Sequence, residues 1–123
     1  MRAVAAAPKT MPARIRAGDA ADLKKLTKQA GEAAQLLKLL GNEKRLLILC
    51  FLAARGEMTV GELVGVVKLS QSALSQHLAR MRGENIVSFR RDSQTLWYRI
   101  SDPRIEQLMA ELHRLFCRST PST

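Results

Sequence analysis

Two cysteines are the side chains of this 123-residue chain best suited to covalent chemistry. Cys50 lies inside the apolar run "LLILCFLAA", and Cys117 closes the segment "HRLFC", four residues after His113. A thiolate is both a nucleophile and a soft metal ligand, so exchange, oxidation and metal coordination are open to them. The N-terminal residues lack the apolar middle of a secretory signal. The expectation is therefore a cytoplasmic protein whose cysteines are thiols, redox sensors or ligands rather than a structural staple. On a helical wheel Cys117 falls at the edge of an apolar stripe and is expected to be partly exposed, while Cys50, mid-run, is expected to be shielded. His113 is placed to touch Cys117 at helical spacing. A charged imidazole, or Arg114 or Arg118, would favour the thiolate, and the C-terminal end of the helix dipole opposes it. A tetrahedral zinc site wants about four N/S ligands. Cys50, Cys117 and His113 supply at most three, so no metal and no other cofactor is expected.

A second group of residues is suited to recognition. In "LSQSALSQHLARMRG", residues 69–83, the groups Ser70, Gln71, Ser72, Ser75 and Gln76 crowd the first half, with leucines behind them at helical spacing. With Leu74 at the centre of the buried side, Leu78 and Met81 join it, and Ser72, Gln76, Ala79 and Arg80 fall on the far side, with Ser75 and His77 on the flanks. The outer face is small, polar and mostly uncharged near its N-terminus. Such a face lets a helix approach base edges in a DNA major groove, where Gln pairs bidentately with adenine and Ser meets several bases. Ser70 and the N-terminal amides suit a phosphate. His77 suits packing or a phosphate contact better than metal ligation.

These groups need elements to hold them. Leu23, Leu26, Ala30, Ala33, Leu37 and Leu40 recur in steps of three and four, an amphipathic helix that Gly41 stops. Asn42 caps the next helix, which carries the apolar run, ends at Gly56 and, being apolar on every side, is expected to be the central buried element. Thr59 and Glu62 form a capping box for a short helix, a turn follows at Lys68 and Leu69, and Ser70 caps the polar-faced helix, which Gly83 closes. Val87 and Phe89, then Leu96, Tyr98 and Ile100, alternate around the polar turn "RRDSQ", a two-stranded hairpin. Asp102 and Pro103 begin a last helix with the stripe Ile105, Leu108, Met109, Leu112, Leu115 and Phe116. The order α-α-α-α-β-β-α is mainly helical with a small β-hairpin. Its central helix pair is a helix-turn-helix, and the hairpin, with Arg90 and Arg91 before its tip and Gln94 at it, is a wing that touches backbone or minor groove.

Composition agrees. The chain carries 20 Lys and Arg against 11 Asp and Glu, a formal charge of +9, which suggests a polyanionic partner. Aromatic content of 4% argues against single-strand stacking platforms, and no apolar run approaches a membrane span. Residues 1–20 are expected to be a disordered basic arm, although a run with four basic residues and no acid in its first 18 also fits an organellar transit peptide. Residues 21–118 form the single domain, and residues 119–123 a disordered tail. There is no Gly-rich phosphate loop, no paired-acid pattern and no Cys-x-x-Cys, so an enzyme is not expected.

The segment "LLKLLGNEKRLLILCFL…MTVGELVGVVKLSQSALSQHLARMRGENIVSFRRDSQTLWYRI" resembles the ArsR/SmtB family of bacterial winged-helix repressors, over roughly residues 30–118. The resemblance implies a homodimer, with first and last helices packed across the two-fold axis, on a palindromic double-stranded operator. Family metal sites map poorly. The Cys-x-Cys position reads Gly61-Glu62-Leu63-Val64-Gly65, and the last helix carries only His113, with Glu106 and Glu111 out of place. The placement of Cys50 and Cys117 is similar to the sulfide- and persulfide-responsive branch of the family. In that branch the resemblance implies a dithiol that reactive sulfur or an oxidant joins by a disulfide or longer polysulfide, with release of DNA. A metal-responsive repressor using Cys and His ligands is the alternative.

Overall fold

In a computed structural model, residues 20–117 are described. The expected arm and tail lie outside them, apart from Ala20 at the arm's edge. The elements are α1 (Ala20–Leu40), α2 (Glu43–Arg55), β1 (Met58–Thr59), α3 (Val60–Val67), α4 (Gln71–Gly83), β2 (Val87–Asp92), β3 (Thr95–Ile100) and α5 (Pro103–Leu112), which runs into a π-helical turn, His113–Cys117. The chain divides into two compact units, one ending at Lys38 and one beginning at Leu39. The first contributes most of α1, where Leu23, Leu26 and Leu37 are exposed. Among the described residues no helix is long and apolar enough to cross a membrane.

The second unit is punctuated where the caps predict. Asn42 accepts from the Arg45 amide at 3.0 Å. Gly56 ends α2 at φ 89°, its N–H reaching the Leu52 carbonyl at 2.8 Å, a conformation that strains any residue with a Cβ. Thr59 and Glu62 form the reciprocal box, at 3.1 and 3.0 Å. Lys68 makes the left-handed turn of the helix-turn-helix at φ 60°. Ser70 accepts from the Ala73 amide at 3.1 Å, and Asp102 from the Arg104 amide at 2.9 Å, with Pro103 in the first turn.

Two local expectations change. The hairpin is part of a three-stranded antiparallel sheet, ordered β1-β3-β2. Met58 pairs with Tyr98 and Thr59 with Trp97. A two-residue strand has no room for alternation, and Thr59 doubles as a helix cap, which hides it in the sequence. Helix α4 ends at Gly83, as its spacing predicts, and the chain then reverses at Asn85, φ 62°, a side chain that tolerates the left-handed region. Helix α2 is not buried on every side. Ile48, Leu49 and Leu52 are fully buried, but Cys50 and Phe51 are half-buried and Ala53 and Ala54 exposed. The core gathers those α2 residues with Leu63 and Val67 of α3, Leu74, Leu78 and Met81 of α4, Tyr98 and Ile100 of β3, and Ile105 and Met109 of α5. It fixes α4 by its rear face and leaves the polar face free.

Candidate nucleic-acid interface and thiol pocket

Helix α4 presents Gln71, Ser72, Ser75, Gln76, Ala79 and Arg80 to solvent and buries Leu74, Leu78 and Met81, the division that its spacing predicts. Ser70 is occupied as the cap, with its Oγ 3.4 Å from that of Ser72. His77 sits half-buried against a residue the sequence did not single out. Arg45, in the first turn of α2, approaches His77 Nδ1 with Nη1 at 3.5 Å and donates from Nε to the Leu39 carbonyl at 2.8 Å. Burial, then Arg45, lowers the His77 pKa; burial, then Arg80, lowers that of Arg45. The two residues lie 32 positions apart, so no local pattern announces the contact.

The wing is held against α4 by aromatic packing. Arg82 lies over the Phe89 ring at 5.1 Å, and Phe89 meets Tyr98 with centroids 5.3 Å apart. Strand alternation sends Arg90 and Arg91 to opposite faces. Arg90 clamps Glu57 (Nε–Oε2 2.9 Å, Nη2–Oε1 3.0 Å) and lies over Trp97. Its hydrogen bonds hold the Glu57 carboxyl below its ordinary value. Among the described residues Arg91 has no such partner and is exposed, as is Gln94 in the two-residue loop, which opens with Ser93 at φ 59°. A cation without a protein partner is the better phosphate ligand. Arg91→Ala is expected to weaken binding on all DNA sequences and to flatten the salt dependence by about one unit for each phosphate that the side chain neutralises. Arg90→Ala is expected to act chiefly by freeing Glu57. Affinities across a salt series separate the two variants.

Cys50 and Cys117 are free thiols that line one cavity of about 410 Å³. Helix α2 supplies Cys50, Ala53 and Ala54, whose small side chains leave the space, and the last helix supplies Glu106, Met109, Ala110, His113 and Cys117. The expected neighbourhood of His113 and Cys117 is present on this wall. The π-helical turn widens the winding at this point and changes where Cys117 falls around the axis relative to a continued α-helix. The Cys50 Sγ points to the Met109 Sδ at 3.9 Å, a weak thiol donor contact. Burial, and then the neighbouring Cys117, raises the Cys50 pKa, whereas Cys117 is exposed. Iodoacetamide is therefore expected to label Cys117 first. Cys50 should label slowly and keep accelerating above the pH at which an ordinary thiol has finished ionising. Mass-resolved time courses over a pH series check this, and faster labelling of Cys50 near neutrality would contradict it. Among the described residues no three His, Cys, Asp or Glu side chains are grouped to hold a metal ion.

Comparison with known proteins agrees with this geometry. Residues 42–88 match the family described as "Bacterial regulatory protein, arsR family". The chain is 43% identical over 98 residues to the "Transcriptional activator HlyU" of Vibrio cholerae, covering 80% of this chain and 90% of that protein. The crystal structure of the transcriptional regulator HlyU from Vibrio vulnificus superposes with a TM-score of 0.72 at 42% identity, covering 78% of this chain and 99% of the other. That of the transcriptional repressor BigR from Xylella fastidiosa gives 0.71 at 36%, covering 78% and 97%. The polar-faced helix, the wing and these relatives together place the chain in the arsR family of bacterial regulatory proteins, as a DNA-binding, winged-helix transcriptional regulator and not an enzyme.

Proposed function

We propose that this regulator is a cytoplasmic, homodimeric repressor whose grip on a palindromic operator is released when Cys50 and Cys117 are bridged. The observation that carries the reading is the shared cavity, lined by one exposed thiol and one half-buried thiol. Ser72, Ser75 and Gln76 read base edges in the major groove, Gln71 and Ser70 settle on the flanking phosphate, and Arg80 and Arg91 add phosphate contacts. Leu115 and Phe116, which is 80% exposed, form one apolar face that a second copy covers, and the open leucines of α1 form another. Two α4 helices then fall about 34 Å apart, one turn of DNA.

The chemistry begins at Cys117. Its thiolate attacks the outer sulfur of a low-molecular-weight persulfide, RSSH; the S–S bond breaks, RSH leaves, and Cys117 becomes a persulfide. The Cys50 thiolate then attacks Cys117 Sγ, expels hydrogen sulfide and closes the disulfide. If a second sulfur has been added first, the same attack one atom further out closes a trisulfide. With peroxide, Cys117 becomes a sulfenic acid and Cys50 displaces water. His113 lines the same cavity wall as Cys117. The bridge ties α2, part of the DNA-reading unit, to the end of the helix that carries Leu115 and Phe116. A hundredfold loss of affinity requires a bias of about 2.7 kcal/mol between the two conformations, within the few kcal/mol by which such bonds typically alter stability.

Peptide mapping tests the pairing. After reaction of the reduced protein with glutathione persulfide, a tryptic product joining peptide 46–55 to peptide 115–118 of the same chain is expected. Peptides modified only singly, or joined only between chains, would overturn it.

A further inference from the structure

Arg45, His77 and Arg80 bring three basic side chains together on the flank of α4, beside the face that reads bases. Arg45 and His77 are in contact at 3.5 Å, and Arg80 acts on Arg45 through its charge. Among the described residues none of the three is ion-paired to a carboxylate. The charged group facing His77 is Arg45 from α2; Arg80, three residues along the His77 helix, acts on Arg45, and Lys44 of α2 donates to the Val67 carbonyl at 3.1 Å. Like charges held together without a counter-ion destabilise one another and favour an anion.

A guanidinium only donates, so the Arg45 approach is a hydrogen bond when His77 Nδ1 carries no proton, and burial and Arg45, which lower the His77 pKa, favour that neutral ring. Arg45 is itself anchored through Nε to the Leu39 carbonyl, which leaves its terminal nitrogens the mobile part.

We propose that Arg45, His77 and Arg80 form a phosphodiester-binding site for the operator backbone, and that filling it loads a proton onto His77 Nδ1. The phosphate oxygens take the Arg45 N–H that His77 had accepted. Nδ1 collects a proton from solvent and becomes a donor to the same phosphate. The proposal rests on the DNA-binding reading of α4 and adds a residue from outside the helix-turn-helix, together with a proton linkage.

The sign follows from the two states. In the free protein, burial and Arg45 lower the His77 pKa below its ordinary value; in the complex the phosphate raises it. Binding takes up protons between the two values, so affinity rises as pH falls through the bound-state value and levels off below the free-state value. Each unit of separation gives about tenfold per protomer.

The test uses the full chain kept reduced, and a duplex that the wild-type protein selects from a random pool. Operator affinity is measured across pH 5.5–8 at constant ionic strength, and the His77 ring protons are titrated by NMR free, with inorganic phosphate, and with the duplex. The expected result is tighter binding at low pH, lost in His77→Gln and kept in His113→Gln, with a His77 pKa raised by the duplex. Inorganic phosphate alone should give a smaller rise. Arg45→Gln, with its fold verified by circular dichroism, should flatten the salt slope by about one unit per protomer. Binding that is indifferent to pH, or a His77 pKa unmoved by the duplex, overturns this site while the base-reading face of α4 stands. Failure to select any duplex overturns both. A pH dependence that survives His77→Gln overturns the assignment to this ring.

Discussion

Cys117→Ser is expected to remain on its operator at persulfide concentrations that release the wild-type protein about a hundredfold, a difference of about 2.7 kcal/mol. The exposed thiol is the only one of the two that meets solvent freely, and without it no persulfide forms next to Cys50. The partner variant separates modification from bridging. Cys50→Ser still gains sulfur at Cys117, because the attacking thiolate is intact, but has no second thiolate to expel hydrogen sulfide and close the ring. It too should stay bound. Operator titrations with and without glutathione persulfide on all three proteins check this. If Cys50→Ser is released as readily as wild type, a charge on Cys117 suffices and the bridge is incidental. Cys50 touches the Met109 sulfur, so thermal melts of the reduced variant should accompany the titrations.

Gln76→Ala carries the largest expected effect on recognition. Gln76 is exposed at the centre of the outer face of α4 while Leu74, Leu78 and Met81 pin the opposite side. A bidentate Gln–adenine contact contributes about 1–3 kcal/mol of discrimination, and a dimer that reads both half-sites doubles it. The loss should concentrate at one base pair per half-site. Binding to a panel of singly substituted duplexes measures this directly. Relaxed preference at one symmetric position is expected, and a uniform loss over the whole panel would make Gln76 a backbone contact instead. Arg91→Ala should show that uniform pattern, which makes it the natural control.

The contrast between these residues shows what one-dimensional pattern reveals. The α4 face was legible because Leu74, Leu78 and Met81 repeat at helical spacing, and the caps at Asn42, Thr59, Ser70 and Asp102 were legible because a cap is a bond across two or three residues. Contacts across 32 or 33 residues were not. The Arg45–His77 approach depends on how α2 meets α4, and the Arg90–Glu57 clamp on how the residue before β1 meets β2. The clamp moves the phosphate-binding expectation from the arginine pair toward Arg91. The apolar run of α2 misled for a different reason. Apolar residues on every side argue for burial on every side, yet Ala53 and Ala54 are too small to fill the space toward the last helix and border a cavity. The resemblance to the family supplied the pairing of Cys50 with Cys117; nothing in their separate surroundings in the sequence would have joined them.

The most direct test titrates one reduced, oxygen-free sample of the wild-type protein with glutathione persulfide. Each aliquot is divided between denaturing intact-mass measurement and operator binding by fluorescence anisotropy. The fraction of chains bridged within themselves, at the disulfide or trisulfide mass, should track the fraction of operator affinity lost, point by point. Full bridging with affinity retained, or release before any bridge appears, would contradict a thiol-gated regulator built on Cys50 and Cys117.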